Sequence, residues 1–378
     1  FSHELQFGFK TGVGCSDTVF VVQNVIEYFT KRNSTVFLAS VDASKAFDRI
    51  VHVQLFDKLL ERKVPLCFIK CIENWYSKLY AVVRWDGCIS QSFKLYSGVR
   101  QGGILSPILF NVYVNDLIVH LQSSEMGCHV GRRFFGCVMY ADDLIILASS
   151  VTELQNMLDL CYVFGLKNGI TFNGSKSTCV KVGRMYKSVV SDMKLGDMTI
   201  AWASSFKYLG IWFTAGANLQ IDCLPVKKKF YIALNSILNG CKTATESVKV
   251  YLIRTYCLPI LTYCVGALKL SAVLVKSLSV CWNDAFRKVF QLNRWESMSY
   301  IQYFCGDLSF RLIYDSCRWN FLQNCSHSCY SVRFLSTVTM FEFNWLSLYS
   351  FLYGYDGDSS QLRKQSIKNH FRNILDLV

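Results

Sequence analysis

Two short apolar runs, Phe134 to Tyr140 and Leu144 to Ala148, are separated only by Ala141, Asp142 and Asp143, and this spacing constrains the fold more than any other feature. Both runs are rich in β-formers and stand too close for anything but a tight connection, so they read as a hairpin with two carboxylates at its tip. Adjacent carboxylates repel one another when such a hairpin is buried. A divalent cation relieves that repulsion, because it prefers oxygen ligands and keeps open positions for phosphate oxygens and water. Asp42 follows the apolar run Val36 to Val41 and supplies a third ligand if that strand lies beside the hairpin. Three acids can hold two cations, and two cations roughly 4 Å apart stabilise both the attacking and the leaving oxygen of an in-line phosphoryl displacement. Taken alone, an acidic pair at a hairpin tip is more often a solvated turn, so the case depends on the rest of the chain.

Composition is compatible with a large enzyme acting on a polyanion. The 378 residues are 52% hydrophobic with only 4 Pro, enough to bury the cores of two or three domains or subdomains. A net charge of +13 favours a partner such as nucleic acid, with salt-dependent binding, although an ordinary basic protein has the same balance. Seventeen Cys without even spacing, and no amino-terminal signal segment, lead us to expect reduced thiols in the nucleus and cytoplasm. The aromatic-rich window Ser336 to Tyr355 carries one charge, Glu342, and is diluted by Asn344, Ser347 and Ser350. It reads as a buried helix, and no membrane partner is expected.

Local patterns place the motifs. Ser16 and Asp17 can cap a helix carrying Val19, Val22, Ile26 and Phe29. Leu55 and Leu59, then Phe68, Ile72, Trp75, Tyr76 and Leu79, repeat at helical spacing as core faces. Asp86 and Gly87 mark a hairpin between Ala81 to Trp85 and Ser90 to Leu95. Ser106 and Pro107 open a helix, and Thr152 with Gln155 suggests a capping box for another. Cys317, Cys325, His327 and Cys329 have zinc-donor chemistry, but their spacing fits neither a Cys-x-x-Cys finger nor a zinc knuckle.

Six blocks then carry a resemblance. They are Gln6-Phe7-Gly8-Phe9-Lys10, Val41 to Asp48, Gly98 to Phe110, Tyr140-Ala141-Asp142-Asp143, Gly169 to Asn173 with Lys176, and Phe206 to Gly210. In order and spacing, from the first residue to about residue 213, they are similar to the reverse transcriptase domain of LINE-type (non-LTR) retrotransposons. A weaker echo at Leu258 to Tyr263 is similar to a segment of the family's thumb.

The resemblance implies an α+β polymerase right hand: a palm of mixed sheet backed by helices, partial fingers and a helical thumb. Residues 1–213 would be partial fingers and palm, 214–300 the thumb, where Lys227, Lys228 and Lys229 begin a helical region, and 301–378 a helical carboxy-terminal extension of unknown role. It implies RNA-directed DNA polymerase activity with two Mg²⁺ ions, Mn²⁺ being a substitute. An RNA template, a DNA primer from nicked target DNA and deoxynucleotides would be the partners, with the endonuclease absent from this chain.

Carried over by position, Asp42, Asp142 and Asp143 become catalytic metal ligands, and Lys176 the residue that neutralises or protonates leaving pyrophosphate. Phe47 becomes the ring beneath the incoming sugar, excluding a 2′-hydroxyl, while Gln101 and Gly102 line the nucleotide pocket with Gly103. Asp48 reads instead as a cap or support for the following helix. The Phe206 to Gly210 block would steady the primer end. Because the chain opens inside the Gln6 to Lys10 block, it reads as a fragment lacking upstream fingers residues. The competing reading is a truncated, inactive remnant that only binds RNA; a maturase or a viral RNA polymerase fits the blocks less well.

Overall fold

The computed structural model describes residues 2–342, 344–355, 357 and 359–376. The chain opens with α1 (Cys15–Thr30), β1 (Val36–Ser44), a short 3-10 turn (Ala46–Arg49), α2 (His52–Glu61) and α3 (Leu66–Ser77). Two small ribbons follow, β2 (Tyr80–Ala81) with β5 (Phe93–Lys94), and β3 (Arg84–Trp85) with β4 (Cys88–Ile89). Next come α4 (Ser106–Ser123), the ribbon β6 (His129–Val130) with β7 (Arg133–Phe134), then β8 (Cys137–Tyr140), β9 (Asp143–Ala148) and α5 (Val151–Lys167). They are followed by β10 (Thr171–Val182), the ribbon β11 (Met193–Leu195) with β12 (Met198–Ile200), and β13 (Ser205–Tyr208).

The chain divides into two compact units, the first holding residues 1–18, 25–209 and 214–219. Its centre is a four-stranded antiparallel sheet in the order β10-β1-β9-β8, with one parallel bridge where Gln6 meets Met139 beside β8. α5 packs on β1, β9 and β10, and α4 packs on β8. The strands read as near-continuous apolar runs because both their faces are covered: Leu38, Ile145, Ile146 and Leu147 are fully buried. α5 contributes Leu154, Met157, Leu158 and Cys161, all without solvent exposure.

Several local expectations shift for physical reasons. The cap of α1 is Gly14, whose backbone N–H donates to Asp17 from inside the first turn, so Asp17 completes the cap without being its first residue. α5 begins two residues earlier than expected, because Ser150 accepts from the Glu153 backbone and displaces the pair Thr152 and Gln155. On α3, Ile69 and Tyr76 are buried whereas Phe68 and Trp75 are largely exposed, so the expected core face is rotated. The Asp86-Gly87 turn has positive φ at both residues, 44° and 77°, as its sequence demands.

The second unit holds residues 19–24, 210–213 and 220–378. It contains β14 (Ile211–Thr214), β15 (Gln220–Asp222), α6 (Leu224–Gly240), which carries Lys227, Lys228 and Lys229, and α7 (Glu246–Leu252). A π-helical turn (Ile253–Cys257) leads into α8 (Leu258–Thr262), then α9 (Ala272–Phe290), α10 (Ser299–Phe304) and α11 (Phe310–Cys325). Trp282, Phe286, Phe310 and Trp319 fill its core, and the Trp282 indole donates to the Leu308 carbonyl at 3.0 Å. The window expected as one buried helix is two, α12 (Tyr330–Glu342) and α13 (Trp345–Tyr353), before α14 (Ser360–Asp376). Asn344 interrupts the run by accepting from Ser347 as the cap of α13, while Phe343 lies outside the described residues. Among the described residues no helix is long and apolar enough to cross a membrane.

One buried hydroxyl ties the first unit together. Tyr113 of α4, fully buried, places its oxygen 2.6 Å from Gln54 Oε1 and 2.7 Å from the Asn168 carbonyl, and accepts from the Val51 backbone at 3.3 Å. It thus links the middle of α4 to the start of α2 and the end of α5. Tyr113→Phe should lower unfolding free energy by about 1–3 kcal/mol, the cost of leaving buried partners unsatisfied, measured by denaturant titration. An unchanged midpoint would remove the hydroxyl from this role.

Candidate active site

β8 and β9 pair from Cys137↔Ile146 to Tyr140↔Asp143, leaving Ala141 and Asp142 as the two-residue turn of the expected hairpin. Ala141 stands at φ 55°, the left-handed value that the first turn position of a II′ hairpin requires and that glycine usually fills. β1 pairs with β9 as far as Val41↔Leu144, so one further step sets Asp42 opposite Asp143. The three acids therefore share one end of the sheet, although Asp42 and Asp142 come from distant stretches of sequence.

Their electrostatics show this proximity. Burial raises the Asp142 carboxyl above the usual carboxylate range; its own backbone N–H pulls the other way and the Asp42 charge adds to the rise. Burial also raises Asp143, with the Asp142 and Asp42 charges adding to it and the Lys207 ammonium of β13 opposing it. Tyr208, beside Lys207 in sequence, is pushed well up by burial and then by the Asp143 charge; its hydroxyl is buried with no hydrogen-bond partner among the described residues. The set is all oxygen, crowded and negative, which suits a hard divalent cation. Among the described residues no three acid, His or Cys side chains are gathered tightly enough to coordinate one ion by themselves.

The surroundings of Asp42 are a bulge. Ser40 pairs with Thr178 but Asp42 pairs with Asn173, so residues 174–177 of β10 loop out beside it. Asn173 Oδ1 accepts from Ser175 and Lys176, and Ser177 Oγ accepts from the Asp42 backbone at 3.2 Å. The turn expected at Asn173 and Gly174 is thus embedded in a strand, and Lys176 is exposed upon it.

Phe47, half-buried, stacks on Phe110 with ring centroids 4.3 Å apart and planes 5° apart. Phe9 packs against it in a T-shaped pair with centroids 5.9 Å apart and is itself half-exposed. Asp48 does not cap α2, whose cap is Val51 without a side-chain bond. Its carboxylate instead accepts from Gln101 Nε2 at 3.2 Å, because the Gln101 loop is zipped to this segment through Val99 N–H to Phe47 O and Gly98 N–H to Ile50 O, each 2.8 Å. Gly98 stands at φ 86°, and a Cβ there would meet the Asp48 backbone at 2.8 Å. Gly102, at φ 83° in open space, needs glycine for conformation alone. Trp75, Tyr76, Arg100, Gln101 and Ile104 line a cavity of about 570 Å³ on this loop, which the three acids do not reach.

Residues the spacing did not single out also converge here. Lys207 and Tyr208 were visible only as part of a block, and Gln6, fully buried, bonds the Ala141 backbone across 135 sequence positions.

Comparison with known proteins agrees with this arrangement. A family model described as reverse transcriptase (RNA-dependent DNA polymerase) matches residues 1–213. The Pol polyprotein of type-2 retrotransposable element R2DM of Drosophila melanogaster is 30% identical over 59% of this chain and 22% of its own length. The Pol polyprotein of type-1 retrotransposable element R2 of Popillia japonica is 22% identical over 74% of this chain and 46% of its own length. The RNA-directed DNA polymerase from mobile element jockey of Drosophila funebris is 25% identical over 55% of this chain and 23% of its own length. The chain thus spans between about a fifth and a half of these relatives, and the similarity to LINE-type retrotransposon proteins holds. Apo telomerase of Candida tropicalis superposes with a TM-score of 0.44 at 12% identity, covering 94% of this chain and 56% of that one.

The raised acids make a signed prediction. The folded chain holds these protons more tightly than the unfolded one, so stability falls as pH rises from the ordinary carboxylate value through the raised one. Asp143→Asn should therefore raise the melting temperature of the chelator-treated chain at pH 7, by only about 1–3 °C because water screens this exposed group. The gain should vanish at pH 3, where the parent is protonated; a gain equal at both pH values would remove the electrostatic account.

Proposed function

This chain belongs to the reverse transcriptase (RNA-dependent DNA polymerase) family, and on that premise we propose that it extends a DNA primer with deoxynucleotides on an RNA template, in retrotransposition. The observation that carries the reading is the gathering of Asp42, Asp142 and Asp143 at one end of the central sheet, where the Asp42 charge is felt by both Asp142 and Asp143. Residues 1–213 would serve as partial fingers and palm, 214–300 as thumb, and 301–378 as a helical extension. Seventeen Cys without even spacing support work inside the reducing nucleus and cytoplasm.

Asp42 and Asp142, assisted by Asp143, would hold two Mg²⁺ ions, or Mn²⁺ in their place. Bound there, the metals supply Lewis acidity to the attacking 3′-hydroxyl and to the leaving pyrophosphate oxygen. The coordination positions that the carboxylates leave open would suit nucleotide phosphates and water. Phe47, braced by Phe110, would lie beneath the incoming sugar and collide with a 2′-hydroxyl. Gln101, oriented by Asp48, would approach the sugar from the glycine loop, where Gly102 lets the backbone turn. Lys176, on the bulge paired with Asp42, would neutralise departing pyrophosphate. The basic composition, net charge +13, would hold the primer and template through their phosphates; that primer would be nicked target DNA.

Primer extension on an RNA template with Mg²⁺ tests the reading. Asp142→Asn should lower the rate by about 100-fold or more, as loss of a metal ligand does. Undiminished product in that variant overturns the catalytic assignment, and RNA binding without any extension by the parent chain favours the remnant that only binds RNA. Phe47→Val should admit ribonucleotides about 10-fold or more readily, the scale set by removing a steric clash. Unchanged sugar discrimination would take the gate away from Phe47.

A further inference from the structure

The segment from Leu5 to Phe9 packs beneath the acidic turn. Phe7 N–H donates to the Met139 carbonyl at 2.7 Å and Met139 N–H to the Leu5 carbonyl at 2.9 Å, so the segment runs alongside β8 as far as its last residues. Between those bonds lies Gln6, with no solvent exposure. Its Nε2 donates to the Ala141 carbonyl at 3.2 Å, and its Oε1 accepts from Ala141 N–H at 3.1 Å and from Gly8 N–H at 2.9 Å. One side chain thus satisfies both polar groups of the turn residue directly before Asp142.

Ala141 needs that support. A residue with a Cβ at φ 55° costs about 1–2 kcal/mol relative to the right-handed region, and Ala141 is 7% exposed, so water has little access to its peptide groups. The two acids that follow repel each other, which favours any backbone change that separates them. Gly8 closes the remaining space: a Cβ there would stand 2.3 Å from the Ala141 nitrogen. The Gly8 carbonyl accepts from Asn111 of α4 at 2.8 Å, which fixes the segment from its other side. Asn111 is buried and α4 follows directly on the Gln101 loop, so the same clamp connects the turn to the helix behind the candidate nucleotide pocket.

We propose that Gln6 is a positioning residue: by holding both sides of the Ala141 peptide it fixes the left-handed turn, and with it the separation and aim of the Asp142 and Asp143 carboxylates. This rests on the reading of those acids as the metal-holding pair. Gln6 touches neither substrate nor metal and acts through the turn alone. Partners of this kind, one shell beyond the ligands, typically cost about 10–100-fold in metal affinity or activity when removed.

Gln6→Leu removes both bonds while keeping bulk, Gln6→Glu keeps the acceptor but loses the donor as a carboxylate, and Gly8→Ala pushes on the turn while leaving Gln6 unchanged. Each is compared with the parent and Asp142→Asn in primer extension, in Mn²⁺ binding by loss of the free-ion electron paramagnetic signal, and in melting by circular dichroism. For variants folded at the assay temperature, kcat should fall about 10-fold or more and the Mg²⁺ concentration for half-maximal rate should rise several-fold, on the scale of lost outer-shell partners. Mn²⁺ affinity should fall in parallel, while KM for the primer–template changes less than about twofold because the clamp does not touch it. A folded Gln6→Leu with parental kcat and metal affinity overturns the proposal, as does a loss of rate that follows only the unfolded fraction. If Asp142→Asn is inactive while the Gln6 variants match the parent, the clamp alone fails. If Asp142→Asn keeps full rate, both readings fall together.

Discussion

Like charge held together by strand pairing is the constraint around which the first unit is organised. Three carboxylates meet at one end of the sheet because β1, β8 and β9 are fixed in register by ladder hydrogen bonds and by side chains buried on both faces. A one-residue slip would send every core side chain to the wrong face, so the register cannot relax to separate the acids. The sheet therefore imposes an unfavourable charge arrangement, and the raised Asp142 and Asp143 carboxyls record it. Like charges kept at such cost at the open end of a packed sheet are candidates for chemistry, since stability alone gives no reason for them.

Backbone strain occurs in the same segments, as it does elsewhere in the chain. Phe9, Lys45, Ala141 and Leu209 all adopt left-handed φ although each carries a side chain, and each belongs to one of the sequence blocks or its border. The neighbouring glycines Gly98 and Gly102 share that conformation. Turns this tight bring the segments after β1, before α4 and between β8 and β9 into register with one another. They persist because surrounding contacts over-determine them: the zipped pair of Val99 with Phe47 and Gly98 with Ile50 is one case, and the Gln6 clamp is another.

How much of this was legible in the sequence depended on the range of the interaction. The hairpin and the helix at Ser106 and Pro107 follow from spacing over a few residues and form, although the run Phe134 to Tyr140 is divided between β7 and β8 and Asp143 opens β9 instead of sitting in the turn. Caps lie two or three residues earlier, at Gly14 and Ser150, because several polar residues compete for each helix start and only the folded backbone selects among them. The face of α3 was misjudged because helical spacing shows that a stripe exists without showing which neighbours cover it. Asp48 looked like a cap by position, yet its partner Gln101 lies 53 positions away. Gln6 was legible as part of a block but not in its role, since nothing local marks a glutamine that will bond a peptide 135 positions distant.

The proposed sugar gate shows why placement matters more than residue type. A ring excludes a 2′-hydroxyl only if it cannot swing aside, and an isolated Phe has freely exchanging rotamers. Phe47 is restrained on one face by Phe110, nearly parallel at 4.3 Å, and by a T-shaped pairing with Phe9 at 5.9 Å, while its carbonyl is tied to Val99. Phe110 is itself fully buried, so displacing Phe47 toward it would overpack a closed core. The discrimination proposed for Phe47 would thus come from the stack behind it, and Phe110, which would touch no substrate, would contribute to it through packing alone.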